Sequence, residues 1–193
     1  MALSHLHFDH AGGLLTAAGE YAFPNARIVA QVDEWDFALG SNPRLTASYE
    51  QSELRLAEAW ARPGGVDGVE ALVPGVEVRR TSGHSGGHLA IIVRGRDETV
   101  AFIGDLCMRP WSANPKWITS FDDFPLTSVE VKSALFAEAA EESWTIVLSH
   151  EPRKPVGKLV PYKDKYRFEP TISAAGSSKG LIILSAVARS TGP

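Results

Sequence analysis

The residues Ser4-His5-Leu6-His7-Phe8-Asp9-His10-Ala11-Gly12-Gly13 carry the densest chemistry in the chain. Three imidazoles and one carboxylate fall within six residues, and these nitrogen and oxygen donors bind divalent cations well. The glycine pair behind them lets the backbone turn tightly. In an extended segment alternate side chains share a face, so His5, His7 and Asp9 are expected on one side and His10 on another. Two diverging sets suit two neighbouring ions.

Further donors lie at the ends of strand-like runs. His84 sits in Thr81-Ser82-Gly83-His84-Ser85-Gly86-Gly87-His88, Asp105 follows Val100-Ala101-Phe102-Ile103-Gly104, and His150 follows Trp144-Thr145-Ile146-Val147-Leu148. His88 is expected to support the site or the fold without being a ligand. Cys107 has no activating partner evident in the sequence and reads as a small buried hydrophobe.

The order His-x-His-x-Asp-His, then Gly-His, then Gly-Asp, then a late His resembles the metallo-β-lactamase superfamily of dinuclear metallohydrolases, from Ser4 to about residue 170. Within it, Phe23-Pro24-Asn25-Ala26-Arg27, Val73-Pro74-Gly75-Val76, Gly104-Asp105-Leu106 and Ser149-His150-Glu151-Pro152 are similar to the branch of quorum-quenching lactonases and methyl parathion hydrolase. The resemblance implies an αββα sandwich of mixed α/β (α+β) class. In the family the metal loop is delivered by a strand, with a half-sandwich of strands before it, whereas only Met1 to Ser4 precede His5 here. The expectation is therefore a partial domain over residues 1–170 with most of the N-terminal half-sandwich missing, and a tail of uncertain structure over 171–193. Loss of one sheet would expose the apolar face of the other and leaves a homo-oligomer open.

The resemblance also implies roles. His5, His7 and His84 would bind a first ion, Asp9, His10 and His150 a second, and Asp105 would bridge them. Donors without thiolate suit zinc first, with iron, manganese or cobalt as alternatives. Two such ions would hold a bridging hydroxide, because a bound divalent ion lowers the pKa of water from about 15.7 to about 7. The expected activity is hydrolysis of a small ester-like substrate: a lactone, a carboxylic ester or a phosphoric ester. Asp105 would act as the bridging carboxylate, and Asp9 would orient the nucleophile or pass a proton to the leaving group. One branch of lactonases has a tyrosine three positions after the bridging aspartate, where this chain has Met108. Two other readings stand beside the hydrolase: a mononuclear iron oxidoreductase of the same superfamily, and a truncated, non-catalytic fragment that keeps the motif.

The elements that must position these donors can be sketched from the pattern. Ala11 to Ala18 is expected to be a short helix, Ala26 to Gln31 a buried strand, Asp33 to Leu39 one or two helical turns stopped by Gly40, and Tyr49 to Ala61 a helix with Leu54, Ala57 and Trp60 on one face. Trp35, Phe37 and Trp60 read as core, with a pocket wall as the alternative. Short strands follow from Ala71: Val76 to Arg80 alternates, Leu89 to Val93 is a continuous apolar run suited to an internal strand, and Thr99 to Ile103 completes a hairpin. Trp111, Trp117, Phe121 and Phe124 lie in a loop that forms the apolar side of a pocket or is pinned by buried rings, the pocket being preferred. Thr127-Ser128 is expected to cap a helix with Val131, Ala134, Leu135 and Ala139 on one face, ahead of a strand over Thr145 to Leu148. The apolar run Leu181 to Leu184 is too short to span a bilayer.

Whole-chain properties narrow the partners. The 193 residues, 44% of them hydrophobic, suit one globular domain. A formal net charge of −4 without any lysine or arginine run argues against a nucleic-acid partner. The single cysteine forms no internal disulfide, and the start resembles neither a signal peptide nor a membrane span. A cytoplasmic protein with no membrane association is expected, unless a signal sequence lies upstream of Met1.

Overall fold

The computed structural model describes residues 1–61 and 68–172, leaving aside the side chains of Trp60, Ala61 and Ile172. Expectations for the Trp60 ring and for residues 173–193, including the run Leu181 to Leu184, fall outside this set.

The framework is a seven-stranded sheet whose strands neighbour one another in chain order. These are β1 (Val69–Val73), β2 (Val76–Arg80), β3 (Leu89–Arg94), β4 (Thr99–Phe102), β5 (Thr145–Val147), β6 (Val156–Tyr162) and β7 (Lys165–Ile172). All neighbours pair antiparallel except β4 and β5, which are parallel. A parallel pair needs a crossover, and the long helix α4 (Pro125–Glu141) lies on that connection. Among the described residues, three shorter α-helices precede the sheet: α1 (Phe8–Ala11), α2 (Val32–Ala38) and α3 (Gln51–Ala61). The class is mixed α/β, as the motifs imply.

The apolar run of β3 has a direct physical reading. Ala90 and Ile92 join a core with Ala101, Ile103, Leu135, Phe136, Ala139, Trp144, Ile146, Leu159 and Phe168, where α4 covers the sheet. Leu89, one residue out of phase, packs with Val29 and Val78, and Ile91 lies against that second cluster. Strand β3 is thus buried on both faces, which a continuous apolar segment requires. A third cluster gathers the N-terminal segment and its helices: Leu3, Leu6, Leu14, Ile28, Trp35, Leu45, Tyr49, Leu54 and Ala57.

Several local expectations need correction. The helix near the metal motif is Phe8–Ala11, and Ala11 to Ala18 is mostly turns. Residues 28–31 are buried, but instead of a strand they make one isolated parallel bridge, Ala2 to Val29. Helix α4 begins at Pro125, whose fixed φ suits the first helical turn, so Thr127 and Ser128 lie inside it and do not cap it. On that helix Leu135 and Ala139 are buried with Phe136, while Ala134 faces solvent. The rings of Trp111, Trp117, Phe121 and Phe124 are exposed, which removes the alternative of a loop pinned by buried rings. Trp35 is core, and Phe37, partly buried, packs against Tyr49 and Phe124. The β6–β7 hairpin, which no motif or periodicity announces, turns through Lys163 at φ 56° and carries the sheet to Ile172.

Phe136 is fully buried between α4 and the sheet, edge-on to Tyr166. Phe136→Ala is expected to lower the free energy of unfolding by about 3–5 kcal/mol, because the cavity cannot collapse between two rigid layers. Urea unfolding followed by circular dichroism checks this, and an unchanged midpoint would contradict the packing described.

Candidate metal centre

The donors are delivered from one strand-like segment, one helical turn and three loops. Residues 4 to 7 run extended beside β3, where the Leu89 amide donates to the Ser4 carbonyl at 2.7 Å. The chain then bends into α1, whose His10 and Ala11 amides donate to the His7 carbonyl at 2.9 Å. Asp9 is therefore helical and sits with His10, not on a shared extended face with His5 and His7. The loop between β2 and β3 presents His84, the turn after β4 presents Asp105, and the segment after β5 presents His150.

All seven expected donors converge. Their ligand atoms form three groups, each within 4.8 Å: His5, His7 and His84; His5, His10 and Asp105; Asp9, His10 and His150. The middle group shares His5 with the first and His10 with the third, so the set is continuous. His7 Nδ1 lies 3.2 Å from His84 Nε2. Asp105 Oδ2 is 3.6 Å from His84 Nε2 and 3.2 Å from His150 Nε2, while its Oδ1 is 3.3 Å from His10 Nε2. Asp9 Oδ2 stands 3.6 Å from His10 Nε2 and 3.5 Å from His150 Nε2.

These spacings allow a test of fit. A tetrahedral ion with bonds of about 2.0–2.2 Å separates its ligand atoms by about 3.3–3.6 Å, close to the separations above. Burial gives a second test. His5 Nε2, His7 Nε2, His10 Nε2, His84 Nδ1 and Asp105 Oδ1 are buried without a hydrogen-bond partner. Such atoms are costly unless something else satisfies them. The His10 and Asp105 atoms are close, but not aligned as a hydrogen bond. Imidazole and carboxylate donors with unshared lone pairs suit a divalent cation.

The electrostatics keep several of these groups in the ligating form. Burial, reinforced by neighbouring imidazoles, pushes His7 down to about 3 and lowers His5 and His88 well below 6.5. Burial pushes Asp105 up, but His10 and His150 more than offset it and hold the carboxyl well below its usual range. His150, half-buried, is raised, first by its hydrogen bond to Asp105.

A supporting layer was only partly legible. His88 accepts the Asp105 amide on Nε2 at 3.2 Å, and its Nδ1 lies 2.7 Å from the Thr81 hydroxyl, which donates to the His88 carbonyl. One tautomer satisfies all three bonds, with the proton on Nδ1. Gly104, at φ 51°, leaves room for this ring: a Cβ there would lie 2.4 Å from His88 Nε2. Asp122 stands 3.7 Å from His84 Nδ1 and accepts from Ser128 and Thr119. The Asp123 and Phe124 amides hold the His84 and Gly83 carbonyls at 3.0 and 2.9 Å. Asp122 carries no motif signal, because the His84 it faces is distant in sequence. Cys107 is fully buried and its thiol is pushed up to about 11, which suits packing and not nucleophilic attack.

A model of the metallo-beta-lactamase superfamily matches residues 2–150. The chain belongs to that superfamily. N-acyl homoserine lactonase AiiA of Bacillus thuringiensis subsp. kurstaki is 34% identical over 90 residues, which are 47% of this chain and 30% of that protein. Among solved structures, the dizinc quorum-quenching lactonase AidC, holding its product N-hexanoyl-L-homoserine, superposes with a TM-score of 0.78 at 20% identity. The match covers 89% of this chain and 63% of AidC, and at that identity it speaks to the fold. An N-acyl homoserine lactone hydrolase with product at its catalytic metal centre gives a TM-score of 0.62 at 25% identity, over 78% of this chain and 55% of that one. The chain thus spans under a third of the curated relative and under two thirds of the solved ones. The seven-stranded sheet is a portion of the metallo-β-lactamase fold. No described helix is long and apolar enough to cross a membrane.

The pH dependence of the metal-free chain follows from the buried imidazoles. His5, His7 and His88 are neutral when folded and regain a pKa near 6.5 when unfolded, so the unfolded state binds more protons below that pH. Stability is then lost as pH falls from about 6.5 toward 3. His150 and the buried Glu34 act oppositely, since their raised values make their contributions present at lower pH and lost as pH rises, but three groups outweigh two. Thermal unfolding in chelator is expected at a lower temperature at pH 5.5 than at pH 7.5. An equal or higher value at pH 5.5 would contradict this.

Proposed function

We propose that the chain is a metal-dependent hydrolase that holds two divalent ions, zinc before iron, manganese or cobalt. His5, His7 and His84 would hold the first ion, Asp9, His10 and His150 the second, and Asp105 would serve both. The observation that carries this reading is the convergence of seven donors at ligand-like separations with several buried lone pairs unmatched. Membership of the metallo-β-lactamase superfamily and similarity to the lactonases support it. Bound there, divalent ions supply a nucleophile at neutral pH and polarise the oxygen of a carbonyl or phosphoryl group.

The chain's own residues do the positioning. Asp105 stays ionised among the imidazoles and presents one oxygen toward His10 and the other toward His84 and His150. Asp9 is exposed at the mouth of the cluster, where it can orient an attacking water, or take up that water's proton and pass it to the departing oxygen. A separate groove of about 210 Å³ is lined by Pro110, Trp111, Asn114 and Trp117 with Tyr162, Lys165, Tyr166 and Arg167, and none of the seven donors borders it. A small ester-like substrate, such as a lactone or a phosphotriester, presents the carbonyl or phosphoryl oxygen on which such a site acts. The lone Cys107 suits a reducing compartment such as the cytoplasm.

Metal analysis of purified chain, with assays of lactone and phosphotriester hydrolysis, tests this reading. About two zinc ions per chain are expected, and His7→Ala should lower turnover at least about 100-fold, as loss of a first ligand misplaces the reacting groups. A single iron with oxygen consumption would favour the oxidoreductase. Monodisperse, folded protein without metal affinity would leave a non-catalytic fragment.

A further inference from the structure

Glu34 lies on α2, outside the seven donors, and is fully buried. A carboxylate is rarely tolerated in a protein interior unless its lone pairs are matched. Here four donors converge on it. Oε1 accepts the Leu6 amide at 3.0 Å and the Tyr49 hydroxyl at 3.1 Å. Oε2 accepts the Ser85 hydroxyl and the Gly87 amide, both at 2.7 Å. Burial raises the pKa of Glu34, and these donors oppose the rise.

The partners are not scattered at random. Leu6 separates His5 from His7, Ser85 follows His84, and Gly87 precedes His88. The Tyr49 ring packs edge-on to His7 with centroids 4.7 Å apart. Helix α2 also presses directly on the second loop, since a Cβ at Gly87 would lie 2.6 Å from the Glu34 backbone amide nitrogen. One oxygen of Glu34 therefore holds the loop that carries His5 and His7, and the other holds the loop that carries His84.

We propose that Glu34 is a positioning residue that fixes the separation of these two loops, and so the mutual placement of His5, His7 and His84. The inference rests on the metal-site reading of those histidines. A glutamine cannot fully substitute, because its amide nitrogen would face a backbone N–H, that of Leu6 or Gly87, which can only donate. An apolar residue would leave all four donors buried without acceptors.

The test is zinc affinity of the full chain, measured by competition with a chromophoric chelator, together with melting temperatures with and without zinc. Glu34→Gln is expected to weaken zinc binding about 10–100-fold, the range for groups that orient ligands, and to shrink the rise in melting temperature that zinc produces. Ser85→Ala removes one donor while leaving every ligand in place, and should weaken zinc binding several-fold. It decides the matter if Glu34→Gln does not fold. Equal losses of melting temperature with and without zinc, at unchanged affinity in both variants, would make Glu34 merely structural and overturn the proposal while leaving the metal site standing. Wild-type chain that bound no zinc would overturn the metal reading and this inference with it.

Discussion

Six imidazoles, all that the chain possesses, and two aspartates crowd into one cluster beside the sheet. Burial prevents protonation from relieving three of them, since His5, His7 and His88 are held below their ordinary pKa. Their lone pairs face one another at about the spacing of ligands around an ion, and several have no hydrogen-bond donor. A shared positive charge resolves that conflict, and the proposed pair of divalent ions supplies it. The rest of the structure can be understood as holding these groups together against their mutual cost.

The sheet does most of this. Strand β3 is buried on both faces, and β4 and β5 run parallel, so Asp105 and His150 leave the sheet at the same end. The His150 amide then donates to the Met108 carbonyl at 3.1 Å, which locks the segment after Asp105 to the one carrying His150. On the other side, Gly83 admits the start of α4 so closely that a Cβ there would meet Ser128 at 2.8 Å. These contacts convert a rigid core into fixed loop positions, which metal chemistry requires because small misplacements cost large factors in rate.

The metal motif was legible because its spacing is local: His5, His7 and His10 declare themselves within a few residues. The strands over Val76 to Arg80, Leu89 to Val93 and Thr99 to Ile103 were equally plain from alternation and apolar runs. Asp9 was misplaced because a period-two rule was carried into a segment where the backbone closes a helical turn at His7. The β6–β7 hairpin was masked by Pro161 and Pro170, which argue against strands. The structure tolerates both, since β5 pairs only with Val156 to Lys158, leaving Pro161 beyond its reach, and β7 is the sheet edge among the described residues. Nothing in Asp33-Glu34-Trp35-Asp36 singles out Glu34, because its partners at 6, 49, 85 and 87 meet only in three dimensions.

X-ray absorption at the zinc edge of the zinc-loaded chain tests the central claim most directly, because it reports what surrounds the ion whether or not a substrate is known. The expected shell holds nitrogen and oxygen at about 2.0–2.2 Å, with the outer scattering of imidazole rings and no sulfur at about 2.3 Å. A sulfur shell, or oxygen neighbours without imidazole, would place the ion elsewhere and contradict the account.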